Sequence, residues 1–436
     1  MTSVRVVKVA SVLILLVATI SFSGYILIEN EKLILKDGIC KSFFLFPKTI
    51  SEVLGSNEIR NVPPTFEMEH FFEPVNLLSR DIYGLNSYYI PDEGTWEIRL
   101  TNFRNDSIAH RWALDKSSFF QTDRLYPNSE PRNPILLSNR HLIVGNDESK
   151  NLYRLNKESE VIWHNKEKRF HHAMNLADDG NIWICTSEPR NIQVRKKTGM
   201  VNSCYTDNFI TKVDIETGEI IYHKSTSEIL SENGYRGIVY GVSNSIDERE
   251  GDDPLHLNDI EPVMTDGPYW NQGDLLLSFR HRSLLLLYRP MNNRIVKLIY
   301  GPFLQQHDVD IINDSTISVF SNEGTNIGKI QDDADGNSQL IVHDSITNSN
   351  IVHYCLSNST SSYPFDHHFF KHSIFTNTQG LHQHLADGSV YVEQHGHGIM
   401  FFMNDSEVLY KMQSSHKVDG WVERPHWIRI YENIDF

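Results

Sequence analysis

Histidine recurs at one place along this chain, always a few residues ahead of a polar turn. His171-His172 stand before ADDGNIWI, His256 before QGDLLLS, His307 before NDSTISV, and His382 and His384 before ADGSVYV. A neutral imidazole offers a lone pair either to a metal ion or to an electrophile. Arg280 adds a rigid fork of donors suited to a tetrahedral oxyanion. Together these residue types fit transfer of an anionic group. A histidine attacks, and cationic neighbours hold the oxygens on which charge develops. Metal binding is the second chemistry, and it needs carboxylates or other partners behind the imidazoles. Asp259 and Asp308 are close in sequence, but side chains alternate faces along a strand, so His307 and Asp308 point apart. No metal and no cofactor is therefore assigned. Any one of these histidines taken alone reads as a hydrogen-bonded core side chain, and Arg280 as a salt-bridge residue with Arg282 as its competitor. Recurrence in four segments is what argues for a shared site.

The elements that would carry these residues are short strands joined by tight turns. One hairpin pattern, a polar turn followed by an apolar strand, appears as SNRHLIV from Ser138, ADDGNIWI from Ala177, QGDLLLS from Gln272, NDSTISV from Asn313 and ADGSVYV from Ala386. A second pattern appears as LNKESEVIW, VDIETGEIIY, YRPMNNRIVK and FMNDSEVLY. Gly, Asn and Asp supply the backbone conformations that such turns need. Two alternating hairpins in a repeated order predict four-stranded blades, hence an all-β, six-bladed β-propeller. The visible blades span roughly residues 133 to 412. The remaining blade is expected to join the Trp96–Trp112 region to the Trp421–Ile430 region, closing the ring and removing exposed sheet edges. In a propeller the strand before the first turn of each blade lines the central channel. That arrangement would aim the four histidine segments at one point.

Several short segments carry a resemblance to a known family. Ser278-Phe279-Arg280-His281, Gly301-Pro302-Phe303, Gln306-His307-Asp308 and Phe320-Ser321-Asn322 resemble the arylsulfotransferase-type β-propeller family. Its bacterial members move a sulfuryl group between phenols through a sulfated histidine, without a nucleotide donor. The resemblance implies that His256, in HLND, binds sulfuryl or acceptor and that His307 is an active-site acid/base. It implies that His382 or His384 becomes sulfated, with Arg280 beside them and His172, Asn258 and Asn322 contacting substrate. The family's arginine after the Phe-Asp-Asn hairpin has no counterpart in EGTNIG. The implied partners are a small aryl sulfate and a phenol. The alternative is a non-catalytic propeller that binds a protein or an anionic ligand at the same channel mouth.

Composition narrows the remaining choices. The chain has 436 residues and a formal net charge of −16, with 40% hydrophobic and 11% aromatic residues. That is ample for a packed core, and such an acidic surface repels a phosphate backbone, which argues against nucleic-acid binding. The acidic run Asp332-Asp333-Ala334-Asp335 lacks the oxygen ligands of a calcium loop at Gln331 and Val342.

Val9 to Ile28 is a charge-free stretch of 20 residues behind Arg5 and Lys8. At helical rise it matches a hydrocarbon core of ~30 Å. It reads as an uncleaved signal-anchor transmembrane helix with the propeller on the periplasmic or extracytoplasmic side. Domain organisation follows: residues 1–30 as anchor, 31–70 as juxtamembrane linker and 71–436 as propeller. Of Cys40, Cys185, Cys204 and Cys355, only Cys185 and Cys204 form a plausible disulfide, and no CxxC pair supports a zinc site.

Overall fold

Each polar turn singled out in the sequence closes a hairpin. In the computed structural model, Leu136 pairs with Leu142, Leu176 with Ile182, Pro262 with Leu275, Asn313 with Thr316 and His384 with Val390. The second set closes at Leu155 with Val161, Val213 with Ile220, Arg289 with Arg294 and Met403 with Val408. The structure describes residues 66–67, 73–90, 93, 95–114, 130–196, 199–241, 253–324, 328–332, 338–342, 348–414, 421–422 and 424–434.

Among the described residues six antiparallel sheets of four or five strands form the blades. Their inner strands are Pro131–Leu136 in blade one, Arg169–Leu176 in blade two, Leu257–Pro262 in blade three, Asp308–Asn313 in blade four, Leu381–His384 in blade five and Arg429–Tyr431 in blade six. Blade six is the composite one. Its inner strand comes from the C-terminal side, and its other three strands are Tyr83–Ile90, Thr95–Asn102 and Ser107–Ala113. Arg429 pairs with Leu85 and Tyr431 with Tyr83, which closes the ring as expected. Val75–Asn76 adds a fifth, outermost strand to blade five.

The apolar core lies between neighbouring blades. Leu275, Leu277, Leu284 and Leu286 of blade three face Trp183 and Ile210 of blade two. Leu276, Leu285 and Leu287 face Val309, Val319 and Val352 of blade four. This is the two-residue strand period: successive leucines serve opposite interfaces, so middle strands read as unbroken apolar runs. Similar clusters fill the other four interfaces. The inner strands are thus left free to carry polar residues into the channel.

Three sequence expectations meet different outcomes here. Val9–Ile28 lies outside the described residues, and no helix among those described is long and apolar enough to cross a membrane. Phe66–Glu67, in the stretch read as linker, pairs with Trp421–Val422. The expected Cys185–Cys204 disulfide is not formed, and both thiols are free. The apparent insertion between them is a long hairpin, Ile182–Lys196 against Gly199–Val213. Cys185 sits opposite Ile210 and Cys204 opposite Asn191, several rungs apart on that ladder, where no bond is possible.

Candidate active site in the central channel

A left-handed residue stands within or shortly before every inner strand: Asn133, His172, His256, Gln305, Gln379 and Trp427, with φ between 48° and 65°. Positive φ is uncommon outside glycine, and one per blade in a ring marks a built feature. In blades one and two it falls inside a register shift against the second strand, and in blade three the shift, between Leu257 and Asp259, follows directly after it. Such bulges re-aim side chains. Here they gather polar groups at one end of the channel.

Blades two and three supply most of that end. His172 Nε2 lies 3.1 Å from His256 Nε2. His256 Nδ1 is 2.7 Å from Asp253 Oδ2, and His171 Nδ1 is 2.5 Å from Glu148 Oε1. His281 stacks on His256 with ring centres 4.4 Å apart. Arg280 donates from Nη1 to His281 Nε2 at 2.9 Å and from Nη2 to Gln305 Oε1 at 3.0 Å. His281 Nδ1–H in turn donates to the Asp253 carbonyl at 2.6 Å. Burial, then the neighbouring His256, pushes His281 down to about 3. Burial, then His171 and His256, holds His172 well below 6.5. Burial opposes a charge on Glu148, but His171 and Arg169 outweigh it and hold the carboxyl at about 2.

His307 joins this end, its ring 5.8 Å from that of His172. Its Nδ1 is 2.7 Å from Asn322 Oδ1, and the Gln379 N–H donates to its Nε2 at 3.0 Å. Both nitrogens are therefore engaged, as Nδ1–H donor and Nε2 acceptor, and burial keeps the pKa well below 6.5. Asn322 donates onward to the Thr376 and Gln379 carbonyls at 2.8 and 2.5 Å, tying blade four to blade five. Asn258 donates to the Gln306 carbonyl at 2.8 Å and ties blade three to blade four. These three side chains brace the wall of the channel.

Farther along the inner strands lies a cavity of about 200 Å³ lined by Asp259, Glu261, Asp308, Asp310, His382 and Arg429, with Trp427. His382 Nδ1 is 2.6 Å from Asp308 Oδ2, and its Nε2 is 2.6 Å from Ser318 Oγ and 3.7 Å from Asp310 Oδ2. His384 Nε2 shares the same Ser318 hydroxyl at 2.9 Å and does not line the cavity. Burial disfavours charge on His382, yet Asp308 and Asp310 raise its pKa above 6.5. Burial, followed by Asp308, pushes Asp310 up to about 7. Burial also raises Asp259 and Glu261 well above the usual carboxyl range.

The predicted residues thus fall into two groups. His172, His256, His307 and Arg280 meet at the channel end, while the contacts of His382 and His384 run to Asp308, Asp310 and Ser318. Sequence reading missed Glu148, Asp253, Asp310 and Arg429. Asp310 stands two residues past Asp308, on the same face of the inner strand, and Arg429 sits in the closing strand, so the alternation rule could have found both. The alternation rule did signal that Asp308 faces away from His307, and that is how it reaches His382.

The family described as Arylsulfotransferase (ASST) matches residues 133–413. No curated protein matches the chain. Among solved structures, a protein of unknown function from Bacteroides caccae is 11% identical, covering 81% of this chain and 100% of its own, at a TM-score of 0.46. Hydrazine synthase from Kuenenia stuttgartiensis is 10% identical, covering 78% and 90%, at 0.39. Virginiamycin B lyase from Staphylococcus aureus is 9% identical, covering 66% and 85%, at 0.33. Likenesses this distant carry nothing about function.

Proposed function

The chain belongs to the arylsulfotransferase family, and from that membership we propose that it moves a sulfuryl group from an aryl sulfate to a phenolic acceptor through a sulfohistidine at His382. One observation carries the choice of residue: His382 lines the cavity with its Nδ1 held by Asp308 at 2.6 Å. In the neutral ring a carboxylate on Nδ1 fixes the proton there and leaves Nε2 with the lone pair, a form that grows as pH rises through the raised pKa of His382. For attack, the Ser318 hydroxyl turns from His382 Nε2 to His384 Nε2, its second neighbour at 2.9 Å. The Nε2 lone pair then forms an N–S bond as the S–O(aryl) bond breaks. The departing aryl oxide takes the carboxyl proton of Asp310, whose pKa of about 7 suits a group that gives and regains a proton. In the second half, an acceptor phenol returns its proton to Asp310, its oxygen bonds to sulfur, and the N–S bond breaks. Arg429 lines the same cavity, its Nη2 bonded to Asn133 Oδ1 and the Met174 carbonyl, and would bring a positive charge to the sulfuryl group. An apolar cavity of about 150 Å³ admits benzene, so about 200 Å³ suits one small ring or its sulfate.

The anchor over Val9–Ile28 belongs to the same proposal, with the propeller outside the cytoplasm. A second reading, a non-catalytic propeller that binds a partner or an anion, draws support from the fact that both nitrogens of His307 and of His382 are already hydrogen-bonded. Incubation with a chromogenic aryl sulfate, followed by mapping of sulfated peptides, decides between them. Phenol release with sulfate on the His382 peptide supports transfer. Absence of release from every aryl sulfate tried favours the binding module.

A further inference from the structure

The channel end holds three imidazoles whose geometry the sulfuryl-transfer reading does not use. We propose that His171, His172 and His256 bind a zinc-like divalent cation, with Glu148 and Asp253 orienting two of the rings. The inference goes beyond sulfuryl transfer and does not depend on it. One ligand atom from each of the three histidines lies within 4.8 Å of the other two. Of these, His172 Nε2 and His256 Nε2 are 3.1 Å apart. Two nitrogens on one ion at about 2.0–2.1 Å stand roughly 3.3 Å apart in a tetrahedron and about 2.9 Å apart at a right angle. The observed separation falls between these values.

The protonation pattern points the same way. Asp253 on His256 Nδ1 at 2.7 Å places the proton on that nitrogen and leaves Nε2 as an acceptor, and the Glu148 carboxylate stands 2.5 Å from His171 Nδ1 as an ion-pair partner. Carboxylate behind imidazole is the usual support of a metal-bound histidine, fixing ring orientation and raising ligand basicity. The two carboxylates also bring negative charge to a cation from the second layer. His172 has no such partner: its side chain is buried, and its Nδ1 finds no hydrogen bond among the described residues. Its ring is held instead by stacking on Trp427, 5.8 Å between centres and 14° from parallel. An N–H···N hydrogen bond between His172 and His256 is the competing account of their contact. It gives no role to the third imidazole or to a carboxylate on each of two rings. Three protein ligands leave a fourth position on a tetrahedral ion for water or a ligand oxygen.

The test uses the full chain, stripped with a chelator and titrated first with Co²⁺ and then with Zn²⁺, with no sulfate donor present. The expected result is one equivalent of Co²⁺ with a visible ligand-field band, displaced by Zn²⁺. His172→Ala and His256→Ala should each weaken binding by about 100-fold or more, and Asp253→Asn by about 10–100-fold, the usual range for a second-layer partner. His367→Ala, an exposed histidine elsewhere, should change nothing. If the alanine variants do not fold, Zn²⁺ should still raise the Tm of the wild type and raise that of Asp253→Asn less. A wild type that shows no saturable binding overturns the proposal, as does binding that survives His172→Ala and His256→Ala unchanged. Because no sulfate donor is present, either outcome leaves the sulfuryl-transfer reading standing or falling on its own experiment.

Discussion

Glu393 accepts the backbone N–H of Ile428 at 2.9 Å, and its other oxygen accepts that of Trp427 at 3.3 Å. A fully buried carboxyl of blade five therefore grips the residues that lead into the closing strand of blade six. The ring is fastened by this side chain as well as by the ladder between Arg429–Tyr431 and Tyr83–Leu85.

Glu393→Ala should loosen closure, because it strands two buried N–H groups at about 1–3 kcal/mol each. Burial pushes this carboxyl up to about 7, against the pull of the two N–H donors. The folded chain thus holds a proton that the unfolded chain releases near 4.5. The resulting stability is present below that pH and is lost as pH rises through about 7. Glu393→Gln keeps an acceptor and cannot ionise, so denaturant unfolding should show a flatter stability profile between pH 5 and 8 than the wild type.

If sulfuryl passes through His382, His382→Asn should abolish phenol release while leaving the thermal unfolding midpoint within a few degrees. Asp308 acts through the ring and not on the substrate. Asp308→Asn should lower kcat by about 10²-fold or more, in the range for disturbed acid–base groups, with little change in KM. Steady-state kinetics on one aryl sulfate separates the two effects.

If Asp310 carries the proton, the two half-reactions should show opposite pH dependence above about pH 7. Aryl oxide departure would need the protonated carboxyl together with a neutral His382, so the phenol burst should pass through a maximum and slow as pH rises beyond about 7. Transfer to the acceptor needs the carboxylate, so it should quicken over the same range. Asp310→Asn should flatten both limbs. Rapid-mixing measurements across pH 5–9 would show equal slopes in both phases if Asp310 carries no proton.

His307 braces the channel wall, so His307→Ala should act on stability. It removes the acceptor of the Gln379 N–H and the partner of Asn322 Oδ1, costing about 1–3 kcal/mol for each buried group left unpaired. Unfolding by urea should register the loss. Unchanged stability with impaired aryl sulfate binding would instead return His307 to a role on substrate.

The two recurring hairpin patterns sufficed to predict four-stranded blades, because both are local. A turn residue fixes backbone conformation within four residues, and alternation fixes which face each side chain serves. Joining the Trp96–Trp112 region to the C-terminal strand followed from the cost of an open sheet edge, again without coordinates. The placing of four histidine segments at the channel was legible for the same reason. Which groups each imidazole meets was not. His172 meets His256 across 84 residues, and Asp308 meets His382 across 74. Those meetings depend on the angle between neighbouring blades and on left-handed residues that redirect His172 and His256. Cys185 and Cys204 show the limit from the other side. Nearness in sequence made them look bonded, and a long paired hairpin holds them apart. Local chemistry sets the strands and their faces, whereas partners between blades depend on how separate sheets pack around a common axis, and only the closed ring determines that.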